Sequence, residues 1–422
     1  MSGAALTTSW LGLAAALALL GAAQFCVRPA QTYRAWWVAL VATELGHVGV
    51  LLALALAVGS AAHAWVAWGA WGSAAGLEAG LAAVTSVLAG VAAGLFARPA
   101  WTAWRMSGRV TAEVGAAFAI EDDEAEKLWS WRRLWRWPNR VARGAVEHFT
   151  VEACAGYEAS AAGLPLDFYR ARKPVGGAAA TLTADVRAAG AVCVVVVHGG
   201  GWDSGDRGQL AALNHWLAAR GVAVAAVSYR LAPAHRWPAQ RDDVSAAVAW
   251  VRANAARLGV DGDRLVLLGR SAGAQIAAAT AFGQVLPGVR AVVALYGCYD
   301  LEFVWSIRSV TDSLNSDKLM HQFMGGGPEA AGAAGLYRSG SAEQLVHAGV
   351  PPTLIVHGAL DQLVWCRHSE RLAAALARAG VRHCFVRLPW ATHAGDANLH
   401  GPTGQLIAGA VLRVARAQTG PA

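Results

Sequence analysis

The most constraining feature of the sequence is a short stretch in which an apolar run leads into a serine flanked by glycines. Residues 265–268 are apolar, Gly269-Arg270-Ser271-Ala272-Gly273 follows, and an alanine-rich segment comes next. A very tight turn between a strand and a helix requires glycine at its flanks, because a Cβ there would collide with the neighbouring strand or helix. The pattern therefore predicts a strand, a sharp turn presenting Ser271, and a helix. In a chain with 47 glycines this pattern is common by chance, so it needs partners elsewhere.

Strand-like and helix-like segments alternate on both sides of this turn, from about residue 164 onward. The apolar runs 191–197, 222–229 and 289–296 are predicted strands, and the amphipathic or alanine-rich segments between the runs are predicted helices. Repeated alternation indicates an α/β fold with a mostly parallel sheet and helices on both faces. Residues from about 300 to 350 interrupt the alternation and are expected to form a cap insertion.

A second motif, His198-Gly199-Gly200-Gly201-Trp202, follows directly after the most apolar predicted strand. Its glycines expose backbone N–H groups, which acyl transfer requires to hold the negatively charged oxygen of the tetrahedral intermediate. A phosphate-binding loop is one alternative, although no lysine follows at the required spacing. A flexible glycine turn is the other.

A serine hydroxyl becomes a useful nucleophile only beside a base that is itself oriented by a carboxylate. In this order of strands, both groups should follow the serine, at the ends of late strands. Asp361 follows the predicted strand 353–357, and His393 follows the last predicted strand. Asp300 is the alternative acid. His357 is the alternative base, but its position at the end of a strand favours a structural role.

Together these motifs resemble the α/β-hydrolase fold and, within it, the hormone-sensitive-lipase-like esterases. The resemblance covers about residues 164–413 and rests on five motifs in order: His198–Trp202, Ser228–Pro233, Asp263–Leu265 leading into the serine turn, His357–Asp361, and the late His393. It implies that Ser271 is the nucleophile, Asp361 the acid and His393 the base. It also implies that the backbone N–H groups of Gly200, Gly201 and Ala272 form the oxyanion hole.

Two places depart from the pattern of that family. Arg270 occupies a position in the serine turn where Asp, Glu, Gln or His is common, and Ala394-Gly395-Asp396 lacks the bulky aromatic residue of many relatives. Neither departure touches the predicted triad. The layout of the chain, with an N-terminal membrane region before a hydrolase domain, also resembles the isoprenylcysteine methylesterases, although more weakly.

The first 97 residues carry only four charged side chains, namely Arg28, Arg34, Glu44 and Glu78. Three segments, at about residues 6–27, 36–58 and 74–97, are long and apolar enough to cross a bilayer. A signal peptide is the alternative for the first segment, and a soluble three-helix bundle is the alternative for all three. Glu44 and His47, one turn apart in the second segment, are expected to form a polar pair facing the bundle.

Arginine placement predicts the orientation of these segments. The connection 28–34 and the region that begins at Arg98 are basic, whereas the connection 60–73 has no lysine or arginine. The positive-inside rule then places the N-terminus outside and the catalytic domain in the cytoplasm.

The predicted domains are residues 1–97, with three transmembrane helices; residues 98–150, a basic and tryptophan-rich linker; and residues 151–422, an α/β-hydrolase domain with a cap insertion at about 300–350. In the linker, Leu128, Trp131, Leu134 and Trp135 share one helical face. They predict either an interfacial helix on the inner leaflet or a helix packed on the catalytic domain.

The net charge of +7 comes mostly from arginines near the apolar segments. It favours anionic lipid over nucleic acid as a partner. The six cysteines are scattered singly, so we expect no disulfide framework, no metal site and no cofactor.

These expectations combine into a membrane-anchored serine carboxylesterase, lipase-like, acting on a lipophilic small-molecule ester or lipid. The same triad could serve amide hydrolysis or acyl transfer, because all three share an acyl-enzyme. A non-catalytic membrane scaffold on a hydrolase fold is the alternative from a different class.

Overall fold

The computed structural model describes residues 2–68, 73–120, 127–151, 163–172 and 190–418. Three helical stretches in its N-terminal region are long and apolar enough to cross a membrane: Leu6–Cys26, Gly46–Trp68 and Ala75–Phe118. The helices of this region are α1 (Ser2–Ala23), a 3₁₀ turn (Gln24–Cys26), α2 (Tyr33–Glu44), α3 (Gly46–Trp68), α4 (Ser73–Phe118) and the single turn α5 (Trp131–Leu134).

Two of these helices differ from the segments predicted from sequence. The second segment, 36–58, is divided at Leu45, because α2 ends at Glu44 and packs against the hydrolase domain, and a separate helix, α3, begins at Gly46. The third segment does not end near residue 97. Helix α4 runs through Pro99 to Phe118, since its second half is held by the hydrolase core. The predicted boundary between residues 97 and 98 therefore falls inside one helix.

Glu44 and His47 do not form the expected polar pair. Glu44 points to the hydrolase domain, where its Oε2 accepts a hydrogen bond from the backbone N–H of Thr403 at 3.1 Å. The ring of His47 instead contacts the ring of Trp135 at a centroid distance of 5.0 Å. The break at Leu45 separates the two side chains onto different helices.

A single eight-stranded sheet organises the described part of the hydrolase domain, in the order β1-β2-β4-β3-β5-β6-β7-β8. The first two strands pair antiparallel and the other pairings are parallel, apart from β2 with β4. This confirms the predicted mostly parallel sheet. The strands are β1 (Glu147–Val151), β2 (Leu164–Tyr169), β3 (Ala191–Val197), β4 (Ala223–Val227), β5 (Val260–Arg270), β6 (Val289–Leu295), β7 (Thr353–Gly358) and β8 (His383–Leu388).

Helices cover both faces of the sheet, as predicted. They are α6 (Ala211–Ala218), α7 (Ala239–Ala253), α8 (Ala255–Leu258), α9 (Ala272–Gly283), α10 (Leu301–Ile307), α11 (Ser316–Met324), α12 (Ala333–Gly340), α13 (Arg367–Arg378) and α14 (Pro402–Ala417). One face packs against α7, α9 and α13. The other packs against α6, α14 and the second half of α4, so a helix from the N-terminal region completes the hydrolase core.

The cap and most of the linker lie around this frame, but residues 147–150 of the predicted linker form most of β1, so the predicted domain boundary at residue 151 falls inside the sheet. Residues 300–350 form α10, α11 and α12, which pack on the first face together with the glycine-rich loop. In the linker, Leu128, Trp129 and Leu134 are buried, whereas Trp131 and Trp135 are exposed. The buried side chains agree with packing on the catalytic domain, and an interfacial position of the exposed tryptophans stays a prediction.

Candidate active site

Ser271 occupies the sharp turn between β5 and α9, with backbone angles of φ +53° and ψ −123°. Its backbone N–H donates to the carbonyl of Leu295 at 2.9 Å, which fixes the turn against β6. A Cβ at Gly269 would collide with the backbone of Gly273, and a Cβ at Gly273 would collide with the carbonyls of Val197 and His198. The steric reason for these two glycines is therefore confirmed.

His393 and Asp361 come together with Ser271 at the carboxyl edge of the sheet. The Ser271 Oγ lies 3.0 Å from Nε2 of His393, and Nδ1 of His393 lies 2.7 Å from Oδ2 of Asp361. His393 follows β8 and Asp361 follows β7, so two adjacent parallel strands deliver them to one place. These distances suit proton transfer from the hydroxyl to the imidazole, with the carboxylate orienting the imidazole and balancing its charge.

The Asp361 carboxylate is buried and strongly supported. Its Oδ1 accepts hydrogen bonds from the backbone N–H groups of Leu363 and Val364, each at 2.9 Å. Burial alone would raise the pKa of Asp361, but the charge of His393 and the hydrogen bonds of His357 and His393 outweigh burial and hold that pKa well below its usual range. Asp361 therefore stays ionised beside the imidazole.

Neither alternative residue occupies the site. His357 is fully buried, and its ring binds the Ser369 hydroxyl at 2.7 Å and the Val364 carbonyl at 2.9 Å. Asp300 caps the start of α10 and pairs with Arg371 at 2.6 Å. Both residues therefore make structural contacts, and those of His357 hold the loop that follows Asp361.

The glycine motif lies directly against the serine turn. A Cβ placed on Gly199 would be 3.1 Å from the Cβ of Ser271. Gly200 and Gly201 have φ values of +122° and +58°, which glycine tolerates best. The Gly200 carbonyl accepts from the N–H of Asp203 at 3.2 Å and of Ser204 at 3.0 Å, closing the loop into a tight turn.

Three backbone N–H groups remain available at this turn. Within the residues that the structure describes, those of Gly200 and Gly201 make no hydrogen bond to protein, and that of Ala272 opens helix α9. The N–H groups at the first turn of a helix have no intrahelical acceptor. The loop thus presents donors next to Ser271, where an oxyanion would form.

The cap covers this loop with apolar side chains. Leu319 of α11 lies 3.2 Å from the position of a Cβ on Gly201. Phe323, one turn further along α11, stacks on Trp202 with ring centroids 4.5 Å apart. Any substrate at Ser271 is therefore bordered by the cap.

Sequence reasoning missed two sets of contacts that hold the His393 loop, and the first set is centred on Asp396 and Tyr296. Arg270 Nε pairs with Asp396 Oδ2 at 2.7 Å, and the Tyr296 hydroxyl donates to Asp396 Oδ1 at 2.5 Å. The ring of Tyr296 also contacts the ring of His393, with centroids 4.8 Å apart. The two departures from the family pattern were Arg270 and the segment Ala394–Asp396. Their opposite charges, on Arg270 and Asp396, were the signal in the sequence that could have predicted this pair.

The second missed contact comes from the N-terminal region. The indole N–H of Trp36, on α2, donates to the backbone carbonyl of His393 at 3.1 Å. No local pattern marks Trp36, because its partner lies 357 positions away. Among the described residues, no three His, Cys, Asp or Glu side chains are grouped as metal ligands would be.

Comparison with known proteins relates this chain to esterases. A family model described as BD-FAE matches residues 182–376. The chain is 32% identical over 219 residues to Esterase LipQ of Mycobacterium tuberculosis, covering 48% of this chain and 50% of that protein. It is 32% identical over 240 residues to Esterase LipC of the same organism, covering 51% and 56%. The chain thus spans about half the length of these curated relatives.

Among solved structures, an esterase from the archaeon Pyrobaculum calidifontis aligns with a TM-score of 0.53 at 20% identity, covering 74% of this chain and 93% of that one. The strand order and this structural likeness define an α/β-hydrolase fold. Within that fold, the sequence relatives of this chain are esterases.

Proposed function

We propose that this protein is a membrane-anchored serine carboxylesterase. The observation that carries the proposal is the hydrogen-bonded series Ser271–His393–Asp361, with distances of 3.0 and 2.7 Å. His393 Nε2 takes the proton of the Ser271 hydroxyl while Oγ attacks the ester carbonyl carbon. The proton then passes to the leaving alcohol as the ester C–O bond breaks, leaving an acyl group on Ser271.

Water completes the cycle in the reverse sense. His393 removes a proton from water, which attacks the acyl carbon, and the proton returns to Oγ as the carboxylic acid leaves. Throughout, the N–H groups of Gly200, Gly201 and Ala272 stabilise the tetrahedral oxyanion, and Asp361 orients and balances the imidazolium.

The N-terminal region supports a lipophilic substrate. Its three long apolar helices suit membrane spans, and the cap over the serine loop is apolar. We infer an N-terminus outside and a catalytic domain on the cytoplasmic side, from the arginine distribution. A C-terminal reporter that works only in the cytoplasm should therefore be active, and one that works only outside the cytoplasm should be inactive. The opposite result would reverse the proposed orientation.

The chemistry is tested on the full chain in detergent with p-nitrophenyl acetate. Ser271→Ala should abolish turnover and covalent labelling by a fluorophosphonate probe, because no other residue replaces the attacking oxygen. Ser245→Ala, which removes a hydroxyl on α7 that bonds Gln284 at 2.6 Å, is the matched control and should keep both. Wild-type turnover in Ser271→Ala would refute the proposal.

A further inference from the structure

Helix α2 has two apolar faces, one buried against the hydrolase domain and one exposed. Trp36, Ala39 and Leu40 are buried against the hydrolase domain. On the opposite side, Tyr33, Trp37 and Val41 follow one another at a spacing of four residues and are each about half exposed, at 46%, 52% and 55%. An amphipathic helix on a protein surface normally turns polar residues outward. This outer face instead consists mainly of aromatic and β-branched side chains, and Arg34, in the first turn, is the one exposed charged residue of α2.

The buried face of α2 touches the catalytic base loop. Trp36 donates to the carbonyl of His393, and the cluster around Trp36 includes Leu363 and Ala394. Leu363 follows Asp361 by two residues, and Ala394 follows His393 directly. The loops of the acid and the base are therefore both packed against α2.

The cap reaches the same segment from the other side of the site. The Ser313 hydroxyl donates to the carbonyl of Gln31, in the connection just before α2, at 3.4 Å. Further along the cap, Leu319 borders Gly201 of the oxyanion loop. The cap therefore contacts both the glycine loop next to Ser271 and the connection that leads into α2.

In the sequence, α2 lies between two of the long apolar helical stretches. The stretch Leu6–Cys26 ends seven residues before α2 begins, and Gly46–Trp68 begins two residues after it ends. A helix of 12 residues is about 18 Å long, too short to cross a hydrocarbon core of about 30 Å. Its exposed aromatic and aliphatic side chains suit a position along the leaflet rather than across it.

We propose that the outer face of α2 lies in the leaflet next to the hydrolase domain, and that the mouth of the active site opens onto this leaflet. The substrate is then an ester lipid that moves from the leaflet to Ser271 along α2 and the cap, without passing through water. This inference rests on the proposed esterase function of Ser271.

The test uses the full chain in phosphatidylcholine nanodiscs with two substrates. One is the water-soluble p-nitrophenyl acetate, and the other is 4-methylumbelliferyl oleate dissolved in the bilayer. Val41→Asp places a charge on the outer face of α2, and should lower oleate turnover about tenfold while p-nitrophenyl acetate turnover changes less than about twofold. Val285→Asp, at a valine that is 93% exposed after α9, is the matched control and should change neither.

A second measurement does not depend on activity. A bimane label at Val41→Cys should be quenched by nitroxide-labelled lipid, and the same label at Val285→Cys should not. If Val41→Asp loses both activities through misfolding, this quenching decides the question. Equal oleate turnover in Val41→Asp and wild type, or no quenching at position 41, would overturn the inference. Turnover of p-nitrophenyl acetate that survives Ser271→Ala would instead refute the esterase proposal beneath it.

Discussion

Arg270 and Asp396 form an ion pair directly beneath the base loop, and both side chains are almost completely removed from solvent. Asp396 also accepts from Tyr296, whose ring contacts His393. A buried pair of this kind contributes little net stability compared with apolar residues, but removing one partner leaves an uncompensated charge. Replacing either residue of the pair alone should therefore destabilise the protein, because the charge of the other would stay buried without a partner.

Asp396→Asn should destabilise the protein strongly, by about 3–5 kcal/mol, because it leaves the Arg270 charge buried and unpaired. Thermal unfolding in detergent measures the change. The matched control is Asp263→Asn, which breaks the exposed pair of Asp263 with Arg252 and should cost less than about 1 kcal/mol. Equal losses in the two variants would contradict a buried, charge-dependent contact.

Trp36→Phe should lower kcat by up to about tenfold with little change in KM, because it removes a hydrogen bond worth about 0.5–1.5 kcal/mol to the His393 carbonyl. Trp36 is a positioning residue, since it acts on substrate only through His393. Steady-state kinetics with p-nitrophenyl acetate measure the effect. Trp37→Phe, at the exposed neighbouring position, should leave kcat unchanged; a similar fall in both would point to general damage to α2.

At the scale of elements, local chemistry made the sheet and the serine turn predictable. Apolar runs such as Ala191–Val197 identify buried strands, and the glycines at 269 and 273 are required by clashes with nearby backbone. Asp361 and His393 were found because parallel strands end at the same edge of a sheet. Each of these inferences uses residues close together in sequence or a general rule of topology.

The break between α2 and α3 could not be predicted in this way. The stretches 36–42 and 48–58 are both apolar, so hydropathy alone describes one continuous segment with Glu44 and His47 inside it. The break depends on Glu44 and Trp36 meeting residues more than 350 positions away. Likewise, the third apolar segment was predicted to end near residue 97, but tertiary contacts of residues 100–118 keep α4 continuous through Pro99.

Glu44 connects α2 to the start of α14. Burial is the main reason that the pKa of its carboxyl is raised to about 8; hydrogen bonds from Thr403 and Gly404 oppose that rise, and the charge of Asp396 adds to it. The folded protein therefore keeps this proton at pH values where the unfolded chain, with a carboxyl pKa of about 4.3, has lost it. Stability from this group is fully present below the unfolded pKa and is lost as pH rises through about 8.

Glu44→Gln should flatten this dependence, because the amide keeps an acceptor for Thr403 and carries no titratable proton. The melting temperature of the wild type should fall by several degrees between pH 5 and pH 9, and that of Glu44→Gln should fall less. Glu113→Gln, on the exposed side of α4, serves as the control and should follow the wild type. Parallel curves for all three proteins would show that Glu44 is not the group responsible.

At the scale of the whole molecule, the N-terminal region and the hydrolase domain share one core. Val110, Val114 and Phe118 of α4 are buried with Leu406 and Val411 of α14. Each such side chain contributes about 1.5–3 kcal/mol when buried. Their combined contribution is comparable to the total stability of an ordinary domain.

A fragment beginning at Asn139 should therefore fail to fold stably, whereas one beginning at Arg98, which keeps the second half of α4, should be markedly more stable. Soluble yield and thermal unfolding of the two fragments measure the difference. A stable, cooperatively unfolding Asn139 fragment would show that α4 is dispensable to the hydrolase core.

Helix α4 contains 46 residues and is about 69 Å long, more than twice the thickness of a hydrocarbon core of about 30 Å. With its first half in the bilayer as proposed, its second half is already part of the enzyme, so no flexible tether lets the catalytic domain swing away. Such an enzyme meets its substrate by diffusion within the plane of the membrane that holds it. It should consume esters of its own membrane and ignore the same esters offered on a neighbouring vesicle.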